Sequence, residues 1–152
     1  MKPSVTFRRA NENDTGELLV MMSRLCQMYG SVFNEQLSKT NLHKIINDES
    51  LGRVWVIFCD GVTAGYAVIA FGFSFEYGGR DAFIDELYLK GEFRGKGIGK
   101  EVMKFLESEA VKLGVNTLHL EVDIDNDAGE ALYLKSGFSS KGRKLLSKKI
   151  IK

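Results

Sequence analysis

The chain of 152 residues is poor in several residue types that mark particular protein classes. Its two cysteines, Cys26 and Cys59, lie far apart without a CxxC spacing, so we predict buried thiols in a reducing compartment. Its two histidines, His43 and His119, have no partner at metal-ligand spacing, so we predict no metal site. The only proline is Pro3, and the sequence contains no linker, repeat or low-complexity tract.

An excess of charge and long apolar runs are missing too. The formal net charge is +1, which is too small for the field of a general nucleic-acid binder. The longest apolar candidate, YAVIAFGF, has the length of a strand, and the N-terminus has no apolar core of signal-peptide type. We therefore expect a cytoplasmic protein with no membrane and no nucleic-acid partner, in which residues 1–152 form a single domain.

Periodic patterns predict the secondary structure. Apolar residues recur at helical spacing after Asp14, and β-branched and aromatic residues follow Val54. The order β-α-α-β-β-β-α-β-α-β predicts the α/β class, with a mixed sheet flanked by helices. The predicted elements are a strand at Val5–Arg9, a helix opened by Asp14 with Glu17 and ended by Gly30, a helix over Leu37–Asp48, a three-strand meander over Val54–Leu89 with a hairpin turn at Asp60-Gly61, a helix over Gly97–Leu113, a strand at NTLHLEV, a helix from Asp127 to Gly137, and a last strand in the tail RKLLSKKII.

The stretch EFRGKGIGKEV combines glycines with basic residues. It matches neither the P-loop nor the dinucleotide fingerprint, whose glycine spacings differ. Arg94, Gly97 and Gly99 instead fit R-x-x-G-x-G between a strand and an amphipathic helix. Free backbone N–H groups and the positive helix end would meet there, and Lys96 and Lys100 add charge. The spacing suits a pyrophosphate site, with a flexible charged loop as the alternative.

Two blocks together resemble one family. DELYLKGEFRGKGIGKEVM is similar to the acetyl-CoA-binding motif of the GNAT superfamily of N-acetyltransferases, and LEVDIDNDAGEALYLKSGF resembles its following strand and helix. The resemblance implies a GNAT-like fold with a splayed mixed sheet, acetyl-CoA as co-substrate without a metal, and direct attack of a primary amine on the acetyl group. The second block matches at Asn126, Leu132, Tyr133, Gly137 and Phe138, and Gly129 stands where alanine is common.

The resemblance also implies where acetyl-CoA binds. It would enter a wedge between the strand ending at Leu89 and the strand ending near Val122, with Asn126 holding its pantetheine arm. The backbone of Leu87, Tyr88 and Leu89 would pair with that arm. The implied pyrophosphate contacts are Arg94, Gly95, Lys96, Gly97, Ile98, Gly99 and Lys100.

Acyl transfer to an amine needs an uncharged amine, an oxyanion donor and an acid for the departing thiolate. The resemblance implies a backbone N–H near Leu87 as the donor and Tyr133 as the acid. For the base it leaves Asp85 and Glu121 as candidates. Glu86 comes third, because regular alternation turns it to the other face. Alternation groups Asp85 with Phe83, Leu87 and Leu89, and Glu86 with Ile84 and Tyr88.

The acceptor site is less defined. Acidic residues are frequent in the motif strands and just after them. If they face the cleft, they favour a cationic acceptor, such as a polyamine, an aminoglycoside-like amine or a lysine-bearing peptide. The alternative is a solvated acidic rim. Tyr29, in the helix-helix connection, is a candidate wall residue. The aromatic hairpin FGFSFEYGGRDAF either lines the acceptor pocket through Phe73, Phe75, Tyr77 and Arg80, packs on the sheet, or pairs with a second subunit in a homodimer.

A catalytically inactive acyl-CoA sensor or interaction module of the same fold is the alternative function. A nucleic-acid domain using RGKGIGK and the tail lysines is disfavoured by interleaved acidic residues and the small net charge.

Overall fold

The structure is a computed structural model that describes residues 2–151. The chain divides into two compact units, Met1–Glu121 and Val122–Lys152. The first unit holds a five-stranded sheet in the order β1-β2-β3-β4-β5. Its elements are β1 (Val5–Arg9), α1 (Thr15–Met28), α2 (Glu35–Asn47), β2 (Gly52–Cys59), β3 (Val62–Ser74), β4 (Gly79–Leu89), α3 (Ile98–Lys112) and β5 (Thr117–His119), and the second unit contains α4 (Asp127–Lys135).

The sheet is mixed, as predicted. Strands β1 to β4 pair antiparallel in sequence order, and β5 joins β4 in parallel. The parallel ladder is short, because it ends where Phe83 lies opposite His119. Within residues 2–151, β4 therefore pairs only with β3 from Ile84 to Leu89, and one edge of this stretch is left without a strand.

Helices cover both faces of the sheet. On the face that we call the α1/α2 face, Tyr66 and Val68 of β3 form a buried cluster with Leu18 of α1 and Leu42 of α2. On the opposite face, which we call the α3 face, Phe105 stacks on Phe7 at 3.9 Å and meets Trp55 edge-on at 5.4 Å. No helix among the described residues is long and apolar enough to cross a membrane.

A β-bulge at Asp85 changes the faces of β4. Val68 lies opposite Glu86, but its neighbour Ile69 lies opposite Ile84, so Asp85 has no partner on β3. Since Val68 and Ile69 point to opposite faces, Glu86 shares the α1/α2 face with Val68, whereas Ile84 shares the α3 face with Ile69. The predicted grouping of Glu86 with Ile84 is therefore wrong, because it assumed an alternation that the bulge interrupts.

The start of α1 also differs from its prediction. A capping box occurs instead on the short 3-10 helix Glu12–Asp14 that precedes α1, with Asn11 as its N-cap: the Asn11 side chain accepts from the backbone N–H of Asn13 at 2.9 Å, and Asp14 Oδ2 accepts from the backbone N–H of Asn11 at 2.8 Å. Asp14 makes no side-chain cap to α1. Its carboxylate instead accepts two hydrogen bonds from Arg8, at 2.8 and 2.9 Å.

The second unit lacks the predicted last strand. The tail from residue 143 to 151 forms no strand or helix, because a strand needs a neighbouring strand for its backbone groups and the tail has no ladder partner in the part of the chain that is described. In the first unit, β5 is shorter than predicted. It ends at His119, so Leu120, Glu121 and Val122 are not part of it.

Candidate active site

The glycine-rich loop reaches α3 through two left-handed glycines. Gly95 and Gly97 have φ of +71° and +79°, a region that only glycine enters without strain. Gly97 is the N-cap of α3 and no side chain caps this helix end, so the first N–H groups of α3 are open to a ligand. A Cβ at either glycine would meet no protein atom within 4 Å, which leaves room for an anion to approach the backbone.

The charges of the loop suit a diphosphate. Lys96 and Lys100 are exposed beside the open helix end, where the helix dipole also favours negative charge. Arg94, in contrast to the two lysines, contacts β4: its Nε donates to the carbonyl of Leu89 at 2.8 Å, and its guanidinium lies 5.5 Å from the centre of the Tyr88 ring. Arg94 therefore ties the loop to the end of β4.

The unpaired edge of β4 leads directly into this loop. Between Ile84 and Leu89 its backbone groups on the β5 side have no strand partner among residues 2–151. Such an edge can pair with an extended ligand as if it were an added strand. The edge and the loop together fit the two parts of acetyl-CoA, an amide-bearing arm and a diphosphate.

Two carboxylates line a cavity of about 220 Å³ on the α1/α2 face. Asp85 is exposed at the bulge, whereas Glu86 is half-buried. Burial raises the pKa of Glu86, the hydrogen bond from Tyr66 opposes this rise, and the charge of Asp85 adds to it. The other residues that line the cavity are Met22, Ser38, Asn41, Leu42, Ile45, Val54 and Val68. A larger groove, of about 700 Å³, lies between α1 and α2 and includes no residue of β4.

Tyr66 is the site residue that the sequence analysis missed. Its side chain is fully buried, and its hydroxyl donates to Glu86 Oε1 at 2.8 Å. Burial first, and the charge of Glu86 second, raise the pKa of the phenol far above its ordinary value. Tyr66 stands in the apolar run AGYAVIAF, where a tyrosine is typical of the core, so no sequence signal marked it.

The predicted acceptor residues of the hairpin do not all share the face of Glu86. Arg80 lies on the α3 face, where it donates to the carbonyl of Leu113 at 3.1 Å. Phe73 pairs with Arg80 in the sheet register and shares that face. Phe75, at the turn, is 96% exposed and meets Phe73 edge-on. The structure thus separates Phe73 and Arg80 from the two carboxylates.

Tyr77 and Tyr29 have other surroundings. The ring of Tyr77 packs 4.5 Å from His119, whose Nε2 lies 3.0 Å from the carboxylate of the buried Asp81. Tyr29 is the C-cap of α1 and acts electrostatically on Tyr66, which places it near the partner of Glu86. The remaining candidate of the first unit, Glu121, is exposed beyond the end of β5.

In the second unit the start of α4 is fixed by its own residues. Asn126 caps the helix by accepting from the backbone N–H of Gly129 at 2.9 Å. A Cβ at Gly129 would collide with the side-chain amide of Asn126, so an alanine at this position would require that side chain to shift.

The end of α4 accounts for the spacing LYLKSGF. Gly137 has a φ of +94°, and the backbone N–H of Phe138 donates to the carbonyl of Tyr133 at 3.0 Å. This is the pattern of a Schellman motif, which brings the rings of Tyr133 and Phe138 to 6.2 Å. The motif therefore fixes the local surroundings of Tyr133. No group of three or more metal-ligating side chains occurs within residues 2–151.

Comparisons with known proteins agree with this geometry. Residues 19–138 match the model of the Acetyltransferase (GNAT) family. The chain is 26% identical to thialysine N-epsilon-acetyltransferase of Bos taurus over an aligned length of 145 residues, and the match covers 88% of this chain and 83% of that protein.

Solved structures give the same picture. An integron cassette protein from the mobile metagenome of Cole Harbour Salt Marsh superposes with a TM-score of 0.85 at 29% identity, over 96% of this chain and 91% of that one. An aminoglycoside N-acetyltransferase in complex with CoA superposes with a TM-score of 0.82 at 14% identity, over 99% and 98%. The chain belongs to the GNAT family and is an N-acetyltransferase that uses acetyl-CoA.

Proposed function

We propose that the acceptor is a small molecule with a primary amine at the end of an alkyl chain, of the lysine-analogue type. The observation that carries this proposal is the pair Asp85 and Glu86 in a cavity of about 220 Å³ with largely apolar walls. Carboxylates attract an ammonium group, and the apolar side chains suit its methylene stem. The volume is below the range for drug-sized ligands, which disfavours an aminoglycoside or a long peptide. The similarity to a thialysine N-epsilon-acetyltransferase supports the same class.

In the proposed reaction Glu86 is the base. The ammonium group first loses one proton to solvent. The uncharged amine nitrogen then attacks the acetyl carbonyl carbon, the carbon–sulfur bond breaks, and Glu86 accepts the second proton that the nitrogen loses as the amide forms. A raised pKa makes a carboxylate a better base near neutral pH. Asp85, exposed at the bulge, attracts the ammonium form into the cavity.

The remaining roles follow from the family motif. A backbone N–H near Leu87 stabilises the developing oxyanion, and Tyr133 donates a proton to the departing thiolate. Asn126 and the loop from Arg94 to Lys100 hold acetyl-CoA. Glu121, exposed beyond the end of β5, is the alternative base.

Thiol release from acetyl-CoA tests the proposal on a panel of thialysine, lysine, spermidine, kanamycin and a lysine-bearing peptide. We expect turnover with thialysine or lysine. Glu86→Gln should lower kcat about 100-fold or more, since general-base catalysis contributes about that much, and Asp85→Asn should mainly raise KM. Glu107→Gln removes an exposed carboxylate on α3 and should match the parent.

Two results would contradict the proposal. Turnover with kanamycin or the peptide alone would exclude the small alkylamine, and parental kcat in Glu86→Gln would remove Glu86 from the role of base. Binding of acetyl-CoA without turnover of any amine would favour the inactive sensor. Tyr133→Phe should lower kcat while leaving the affinity for acetyl-CoA unchanged.

The proposal extends to assembly and location. An exposed aromatic pair, Phe73 and Phe75, favours a homodimer through the hairpin. Light scattering should then report a dimer for the parent and a monomer for Phe73→Ser with Phe75→Ser. Free thiols at Cys26 and Cys59 favour the cytoplasm, a reducing compartment.

A further inference from the structure

Tyr66 places a single phenol hydroxyl between the core and the carboxylate of Glu86. Its ring is surrounded by the apolar cluster of the α1/α2 face, which includes Leu18, Leu25 and Val56. A buried hydroxyl needs a hydrogen-bond partner, and this one donates to Glu86 Oε1 at 2.8 Å. Close packing around the ring leaves the hydroxyl little freedom to move.

This contact has two consequences for Glu86. One carboxylate oxygen is occupied by the phenol, so the other oxygen remains to accept from the amine. The donated hydrogen bond also favours the ionised form of the carboxyl and opposes the rise in pKa that burial causes. Glu86 is thereby kept ionised at a lower pH than burial alone would allow.

Titratable groups on neighbouring elements act on the pair. On β4 the charge of Asp85 acts on Glu86, and from α1 Cys26 and Tyr29 act on Tyr66. The residues of α2 that line the cavity, among them Ser38 and Asn41, carry no charge. Tyr66 is thus the group that donates to the carboxylate from within the core.

We propose that Tyr66 is a positioning residue of the transferase: it orients Glu86 and holds it ionised as the base for the incoming amine. This inference rests on the proposed role of Glu86. It predicts that Tyr66, a buried strand residue with no contact to the substrate, controls the pH dependence of the reaction.

Tyr66→Phe removes the hydroxyl and keeps the ring. With thialysine we expect kcat/KM at pH 7 to fall about tenfold or more, the equivalent of one hydrogen bond to a charged group. The acid limb of the pH profile should move to higher pH, because Glu86 loses the donor that favours its ionised form. The amine has the same pKa with every variant, so a difference between profiles comes from the protein.

Two controls separate positioning from packing. Val56→Ala perturbs the same buried cluster, and should lower the urea midpoint of unfolding while its acid limb stays at the parental pH. In a Glu86→Gln background, Tyr66→Phe should cause no further loss of kcat/KM, because its effect passes through the carboxylate.

The outcomes distinguish a failure of the positioning role of Tyr66 from a failure of the proposed role of Glu86 as the base. If Glu86→Gln lowers kcat/KM but Tyr66→Phe does not shift the acid limb of the pH profile, the positioning role of Tyr66 is overturned, whereas the role of Glu86 as the base is retained. A further loss from Tyr66→Phe in the Glu86→Gln background would show a packing effect, which also overturns it. Parental activity in Glu86→Gln would overturn the proposed base itself, whatever Tyr66→Phe does.

Discussion

A methyl group at Gly97 would test the proposal that the loop from Arg94 to Lys100 holds acetyl-CoA. Gly97 combines a left-handed backbone, with φ of +79°, with an N-cap position that no side chain serves. An alanine there would be strained by about 1–2 kcal/mol. Its methyl group would meet no protein atom within 4 Å, so it would project into the space in which we propose that the diphosphate binds the N–H groups of α3.

Gly97→Ala should lower both the stability of the protein and its affinity for CoA. The strain should lower the free energy of unfolding by about 1–2 kcal/mol, or the melting temperature by about 2–8 °C in a chain of this size. Loss of one hydrogen bond to the charged diphosphate, about 1.5–3 kcal/mol, should weaken CoA binding about 10- to 150-fold. Gly91→Ala is the matched control: Gly91 lies just before the loop, in the short 3-10 helix Gly91–Phe93, and has open space around its Cβ and no positive φ.

Calorimetric titration with CoA and with S-acetylpantetheine, which lacks the diphosphate, distinguishes the two effects. We expect Gly97→Ala to weaken binding of CoA but not of acetylpantetheine, and Gly91→Ala to bind both like the parent. Equal affinity of the parent and Gly97→Ala for CoA would refute the reasoning. An equal loss for both ligands would refute it too, because the defect would then be general.

Three further predictions concern stability. Gly65→Ala should lower the melting temperature by several degrees in a thermal melt, because its Cβ would collide with the backbone carbonyl of Tyr88; an unchanged melt would contradict the close approach of β3 and β4. Gly16→Ala, in open space on α1, should raise the free energy of unfolding in urea by up to about 1 kcal/mol, and a loss would show a contact that the structure lacks. Asp14→Asn should cost about 1–2 kcal/mol at pH 7, because it breaks the pair with Arg8. The hydrogen bond from Arg8 lowers the pKa of Asp14 in the folded protein. The stability that the pair contributes is therefore present above the pKa of Asp14 in the unfolded chain and is lost as the pH falls through its pKa in the folded protein. A difference in the free energy of unfolding between parent and Asp14→Asn that stays constant from pH 7 down to about pH 2 would contradict this prediction.

Local patterns in the sequence predicted most of the elements. The first strand, α1 up to its end near Gly30, the meander and α3 lie where periodicity and glycine positions put them. These features depend on neighbours within one or two turns of chain, so the sequence carries their signals. The conformation of the loop between Arg94 and Lys100 also depends on nearby residues, because left-handed glycines and an uncapped helix start are local properties.

Only the tertiary structure decided which side chains meet. The bulge at Asp85 depends on the register of β3 against β4, and it moves Glu86 to the α1/α2 face, against the alternation expected from the sequence. The contact of Tyr66 with Glu86 joins two strands, and no local pattern marks it. The sequence by itself thus determined the family and the local conformation of the glycine-rich loop. Strand pairing determined which residues share a face with Glu86, because a one-residue shift in register reverses the face of every side chain beyond it.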